Sequence, residues 1–469
     1  MKEQSLFNKE VGRRAFLADC GKMTGVGLMA STINLGLVSK MMAARTPGSI
    51  TDYKGLVCVF LSGGCDSYNM LAPGVGDYQT YLDTRAQLAI AQSNMHNIID
   101  NQTNWDYHLH GNMGGVNNMF NAGDLSFISN IGTLVEPMTK TEYENGTKRK
   151  PLGLASHFDQ QVQWQNSLPN VRGGSLAGTG WIGRMSEVLN DAANNNASAS
   201  VNLAPGGNNL LQTSRSGSPL SVSGGANQFE LWNEKSHLRN AIEGDLETQY
   251  KSVIQNHYNH TREESIEQNN RLAEIEATTT INTPFPNTSL GQQLLQVAKY
   301  IKAQGPEGLN SNRQTFLVKQ GGYDMHKGVT TRLGGALGTL SAALNAFNEA
   351  MHEIGYHDKV VTYTASDFGR TLSSNGSGSD HGWGANHILM GGPVSGGRVF
   401  GDYPDLSLGA SAVIGRGRML PTTSVDELHA SLAYWFGVTN DNEMETILPN
   451  IRNFWTSGST EVPISGLFG

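Results

Sequence analysis

The sequence predicts an α/β protein, a sandwich of helices around a mostly parallel central sheet, and three observations carry that expectation. First, "GLVCVFL" (Gly55–Leu61) is apolar throughout, the pattern of a strand buried on both faces. Second, "QTFLVKQGG" (Gln314–Gly322) and "DKVVTYTAS" (Asp358–Ser366) flank "LGGALGTLSAALNAFNEAMHEIG". That run is apolar at helical spacing and stops at Gly355, so the three segments read as a strand–helix–strand unit. Third, Asp and His residues gather just after these strands, where an open α/β sheet binds its ligands.

The remaining elements follow in chain order. At the N-terminus, "GRRAFLADCGK" joins Arg13 and Arg14 to Phe16 and Leu17, and a weakly apolar stretch, "MTGVGLMASTINLGLV", follows. A charged start, a short apolar segment and small residues predict an export signal over 1–45, with cleavage near Ala43–Ala44. The Arg pair resembles a twin-arginine signal, read by the twin-arginine export machinery, although Gly12 stands where Ser or Thr is commoner. The apolar run is too short and too diluted by Gly, Ser, Thr and Asn to span a membrane, which needs about 20 apolar residues. The expected destination is therefore the periplasm or the exterior, with no stable membrane span in the mature chain. Residues 50–469 form the expected α/β domain. "DLSFISNIG" (Asp124–Gly132) and "HILMGG" are further strands, and residues 190–230 read as loops. Leu231–Ala277 is charged and helical, an exposed insertion or cap set apart from the sheet. "SVDELHASLAYWFGV" (Ser424–Val438) opens with a capping-box Ser and Glu427, and stops at Gly437.

Composition narrows the partners. Charged residues are only 16% of the chain and the formal net charge is -8, so nucleic acid and anionic lipid are not expected partners. In the mature chain Cys58 and Cys65 lie along one extended segment. Seven residues of strand separate Cα atoms by up to ~23 Å, beyond disulfide reach unless the Gly63-Gly64 turn folds the chain back sharply.

Candidate chemistry sits at three strand ends. Asp66 follows the first strand; Asp324 and His326, in "GGYDMHKG", follow the next; Asp367 follows "VVTYTAS". Asp380, His381 and His387 lie in the loop and strand beyond. Carboxylates and imidazoles from several strand ends are what one or two divalent ions require, whether zinc, calcium, magnesium or manganese. Any one of these residues alone is more often a turn former; their recurrence beside Gly is the signal.

"FLSGGCDSYNMLAP", "LASHFDQQVQW", "GTGWIGRM", "GGYDMHKG", "ASDFGRT", "GSDHGWGANHILMGG" and "GGRVFGDYPDL" occur in that order. Together they resemble the markers of a twin-arginine-exported bacterial family labelled a domain of unknown function, grouped with the alkaline phosphatase and sulfatase superfamily. The resemblance runs from about Lys54 to the C-terminus. It implies a three-layer α/β sandwich of the alkaline phosphatase type and metal-dependent hydrolysis of phosphate or sulfate esters, small or polymeric. It further implies a metal-binding Asp66, a nucleophile at Ser156 opening a helix, and an Asp324 and His326 pair on one metal. Asp367 would be a ligand too, but the superfamily commonly places His directly after it, where this chain has Phe368. His381, brought back by the Gly/Ser-rich tether, would supply the missing imidazole, with Asp380 or His387 as further ligands. His157, Arg184 or Arg370 would assist at the ester oxygens. The bland alternatives are a helix N-cap for Ser156 and structural ion pairs for both Arg residues. The rival function is an inactive exported binding or surface-assembly protein on the same scaffold.

Two motifs are decoys. "SGGCDS" (Ser62–Ser67) resembles a pyrophosphate loop, but Pro73 and Gly74 stop any following helix within two turns. "DFG" lacks the other kinase motifs in order.

Overall fold

In the computed structural model, β1 (Lys54–Leu61) divides its side chains between two cores. Leu56, Cys58 and Phe60 enter one cluster, and Val57, Val59 and Leu61 enter the other. Alternate strand residues face opposite sides of a sheet, so a run apolar at every position needs cover on both. Each large side chain so buried contributes about 1.5–3 kcal/mol, which anchors the strand at the middle of the sandwich. The structure describes residues 46–172, 178–194, 201–215, 219–225, 252–456 and 462–469, with isolated positions at 197, 244, 248 and 250. The expected export signal and most of 231–251 lie outside the described residues.

The sheet is completed by β2 (Leu125–Gly132), β3 (Asn202–Ala204), β4 (Leu220–Ser221), β5 (Arg313–Gln320), β6 (Val360–Ser366), β7 (Ala385–Met390), β8 (Val399–Phe400) and β9 (Thr423–Ser424). Their order is β8-β2-β7-β6-β1-β5-β3-β4, with β9 also on β2. Among the described strands of this sheet, only β7 runs antiparallel to its neighbours, β2 and β6. The remaining described pairings are parallel. β3 and β4 come from the stretch expected to be loop throughout. They are two or three residues long, too short for the periodicity of sequence to reveal.

Helices flank both faces: α1 (Gly114–Ala122), α2 (His157–Asn166), α3 (Trp181–Ala193), α4 (Val253–Thr278), α5 (Ser289–Lys302), α6 (Val329–Ile354) and α7 (Val425–Phe436). α1, α5 and α6 pack on the Val57 face, and α2, α3 and α7 on the Leu56 face. α7 opens with the expected capping box between Ser424 and Glu427. α6 ends at Gly355, whose φ of 73° takes the left-handed cap. α4, the described part of the expected insertion, is mostly exposed. Its C-terminal end is not set apart, because Leu272 and Ile275 enter the Val57-face core. No helix among the described residues is long and apolar enough to cross a membrane. Cys58 and Cys65 are buried free thiols.

Register places the site. Leu61 of β1 is level with Gln320 of β5 and with Ser366 of β6. Three parallel strands therefore end together, and the residues that follow them meet at one edge.

Candidate metal centre

The turn after β1 is shaped by what crosses it. Gly63 has φ +118°, and a Cβ there would lie 2.3 Å from the backbone nitrogen of Asp324. Gly64 has φ +81°, and its Cβ would lie 2.6 Å from the Phe368 ring. These glycines let the loops beyond β5 and β6 close over β1. That is the structural meaning of "SGG".

Asp324 lies at the focus. Its Oδ1 accepts from Arg370 Nη1 at 2.9 Å and lies 3.1 Å from His326 Nε2 and 3.5 Å from His381 Nε2. Its Oδ2 lies 3.4 Å from His157 Nε2. Partial burial opposes ionisation of this carboxyl, but the Arg370 guanidinium, joined by the charge of the His157 and His326 rings when they are protonated, outweighs it and holds the pKa below its ordinary value.

Each of the three imidazoles has its other nitrogen committed. His157 Nδ1 is 2.5 Å from Asp367 Oδ2. His326 Nδ1 is 3.2 Å from Asp380 Oδ1. His381 Nδ1 is 2.8 Å from the Ala155 carbonyl oxygen. Carboxylate and carbonyl oxygens only accept, so a neutral ring with its hydrogen on Nδ1 satisfies the outer oxygen and leaves Nε2 a lone pair for an ion. All three Nε2 atoms face Asp324. His157 Nε2 is buried without a hydrogen-bond partner, and the Nε2 atoms of His326 and His381 stand 2.9 Å apart. Nitrogen lone pairs facing each other and a carboxylate call for a proton or a cation among them. The donor set, three imidazoles and a carboxylate with each ring held by an outer acceptor, fits a divalent metal. His157, Asp324 and His381 lie close enough for one ion, with His326 beside them.

Local sequence explains the aim of each ring. Ser156 caps α2 by accepting from the Asp159 N–H at 3.3 Å, which sets His157 at the first helical position. Gln161 follows one turn later on the same face and donates to the same Asp367 Oδ2 at 3.0 Å. Asp367 Oδ1 accepts from Gly63 N at 3.2 Å, so this fully buried carboxylate has three donors. His381 is carried on an antiparallel hairpin, Arg370–Ser374 with Ser379–His381, in which it pairs with Arg370. The Gly/Ser stretch expected as a tether is the tip of that hairpin. Phe368 packs against two of the rings, its centroid 4.6 Å from that of His381 and 4.9 Å from that of His157. Asp380, aided first by an Asn375 hydrogen bond, is held below the ordinary carboxyl range. Burial lowers the pKa of His381, which favours the neutral ring a metal requires.

The structure thus brings His157, Asp324, His326, Asp367, Asp380, His381 and Arg370 together, with roles that differ in part from expectation. Asp367 and Asp380 orient rings. Arg370 is buried and spends its donors on Asp324 and on backbone carbonyls of Gly63 and Ser379, so it is not free for an ester oxygen. Asp66 is buried against Arg85 at 2.5 Å, an ion pair rather than a member of the cluster. Arg184 is buried in α3 and donates to the carbonyls of Asn166, Thr179 and Ile447, stitching helix ends. His387 is buried under Trp164 beside Thr364 Oγ1, and burial lowers its pKa to about 3, so it is a neutral core ring. Arg416, which pairs with Asp380 yet keeps its side chain 70% exposed, escaped the sequence reading. So did Arg85, which donates to Asp66, to Asn69 Oδ1 and to the carbonyls of Thr371 and Leu372; neither carries a motif.

Fold and site together define an α/β protein with a His/Asp cluster at the carboxyl edge of its parallel strands. The chain belongs to the family described as "Protein of unknown function (DUF1501)", whose model matches residues 53–454. Among solved structures it is similar to Ps i-CgsB in complex with k-i-k-neocarrahexaose, at 12% identity and TM-score 0.32, covering 87% of this chain and 77% of that one. It is also similar to the lipoteichoic acid synthase LtaP from Listeria monocytogenes, at 6% identity and TM-score 0.33, covering 88% of this chain and 81% of that one. No curated protein matches.

Proposed function

We propose that this chain is an exported, metal-dependent hydrolase of phosphate or sulfate esters, belonging to the alkaline phosphatase and sulfatase superfamily. The observation that carries the proposal is the convergence of three Nε2 atoms on the Asp324 carboxylate, each ring held by an oxygen at its other nitrogen. Imidazole-rich donor sets suit zinc better than calcium or magnesium, which prefer oxygen. His157, Asp324, His326 and His381 would hold the ion. When bound, it would supply Lewis-acid charge at the ester oxygens and acidify a nearby hydroxyl.

The chain's own residues do the rest. Ser156 directly precedes His157, and its Oγ accepts the capping bond while keeping its own proton. That places a hydroxyl at the positive end of α2, where an anionic ester group is favoured. Ser156 is the proposed nucleophile for in-line attack. Asp367 and Gln161 keep His157 in one tautomer and one orientation. Arg416, exposed above Asp380, offers a guanidinium to an incoming oxyanion.

The test is metal analysis followed by turnover of aryl phosphate, phosphodiester and sulfate esters. The wild-type chain is expected to purify with a divalent ion, to lose it on Asp324→Asn, and to hydrolyse at least one ester class. Ser156→Ala should lower that turnover roughly 10³-fold or more. Turnover unaffected by Ser156→Ala removes the nucleophile. A folded wild-type chain that takes up no ion at this cluster refutes the proposal and favours an inactive binding or surface-assembly protein.

A further inference from the structure

A second cluster lies at the opposite edge of the sheet. Asp124 immediately precedes β2, His352 lies in the last turn of α6, and His357 lies in the turn that leads into β6. These are the amino ends of the strands. β6 alone, seven residues long, separates this edge from the first cluster by roughly 20 Å at about 3.3 Å per residue.

His352 Nε2 stands 3.4 Å from Asp124 Oδ2, and His357 Nε2 stands 3.4 Å from Asp124 Oδ1. His357 Nδ1 faces Asp358 Oδ1 at 3.3 Å, which can accept the ring's hydrogen when Nε2 binds an ion. Its Nε2 is a buried nitrogen with no hydrogen-bond partner. Asn348, one helical turn before His352, donates to Asp124 Oδ2 at 2.9 Å and steadies the carboxylate. The side chain of His352 is 51% exposed, which leaves one side of the cluster open to water. The three ligand atoms lie within 4.8 Å of one another.

We propose that Asp124, His352 and His357 form a second divalent-metal site of the zinc class, separate from the first. Two imidazoles, a carboxylate and a water make a four-donor set, and Asp358, exposed to water, stands behind His357 as an outer acceptor. The site would tie the end of α6 to the start of β2. Since His326 stands just before α6, that helix would then be pinned by a metal-binding histidine at each end.

The experiment strips the full chain with chelator, titrates it with Zn²⁺ alone and counts bound ions after desalting. Wild type is expected to hold two equivalents, His352→Gln one, Asp324→Asn one, and the double variant none. His352 is half-exposed on a last helical turn, so its variant should fold, as an unchanged far-UV spectrum would show. Ester turnover of His352→Gln should match wild type. Retention of two equivalents by His352→Gln overturns the second site, as does a wild type holding one ion that Asp324→Asn loses. A wild type holding one ion that only His352→Gln loses upholds this site and removes the proposed catalytic centre instead.

Discussion

Replacing Asp367 by Asn tests the outer shell of the first centre without touching a proposed ligand. Asp367 accepts three donors: the Gly63 N–H at 3.2 Å, the Gln161 amide at 3.0 Å and His157 Nδ1 at 2.5 Å. An Asn offers one acceptor oxygen and one NH₂. If the oxygen serves His157, the NH₂ opposes the Gly63 N–H, two donors face to face. If the amide is flipped, the NH₂ meets His157 and drives its hydrogen onto Nε2, the nitrogen that should face the ion. Either arrangement strands a buried donor, at a cost of about 1–3 kcal/mol in stability. Loss of an outer carboxylate typically weakens metal affinity 10–100-fold, about 1.4–2.8 kcal/mol at 1.4 kcal/mol per decade. The assay is competition for Zn²⁺ with a chromophoric chelator, with thermal melts in the presence and absence of metal. The expected result is weaker binding than wild type, yet measurable binding, whereas Asp324→Asn loses the ion outright. A folded Asp367→Asn chain with wild-type Zn²⁺ affinity would refute the argument that this carboxylate sets the His157 tautomer.

Two further outcomes follow from particular residues. Gly64→Ala forces a Cβ into the Phe368 ring at a backbone φ of +81°; the displaced ring should push on His157 and His381 and lower Zn²⁺ affinity, measured by the same competition, whereas unchanged affinity would show that Phe368 moves freely. His387→Leu probes a buried neutral imidazole whose pKa falls from 6.5 to about 3. Between those values the unfolded chain binds a proton that the folded chain refuses, so acidification favours unfolding. The stability of wild type relative to His387→Leu should therefore drop by about 1.4 kcal/mol per pH unit, about 3 kcal/mol from near pH 6.5 to near pH 4. Denaturant titrations across that range check it, and a pH-independent difference would show that His387 is protonated in the folded state.

Several features were legible in the chain alone because they rest on local or periodic chemistry. An apolar run with no alternation demanded a strand covered on both faces, and β1 feeds two cores. A 3.6-residue period ending in Gly355 demanded α6, and Ser424 with Glu427 demanded the cap of α7. The recurrence of Asp and His after successive strands was enough to locate the cluster at one edge, since parallel strands in register must end together. Which atoms of those residues face one another is a different kind of information. His157, in a helix 167 positions before Asp324, joins the cluster only because α2 packs on the sheet. Asp66 and His387 sit beside suitable partners in sequence, yet the fold gives Asp66 to Arg85 and shuts His387 under Trp164. Side-chain roles are settled by contacts between segments from 19 to more than 200 residues apart, and pairings beyond the reach of one helix or strand leave no periodic trace in the chain. The sequence determined the layers and the edge at which chemistry collects; only tertiary packing decided which imidazole nitrogens point at Asp324, because orientation depends on what stands behind each ring.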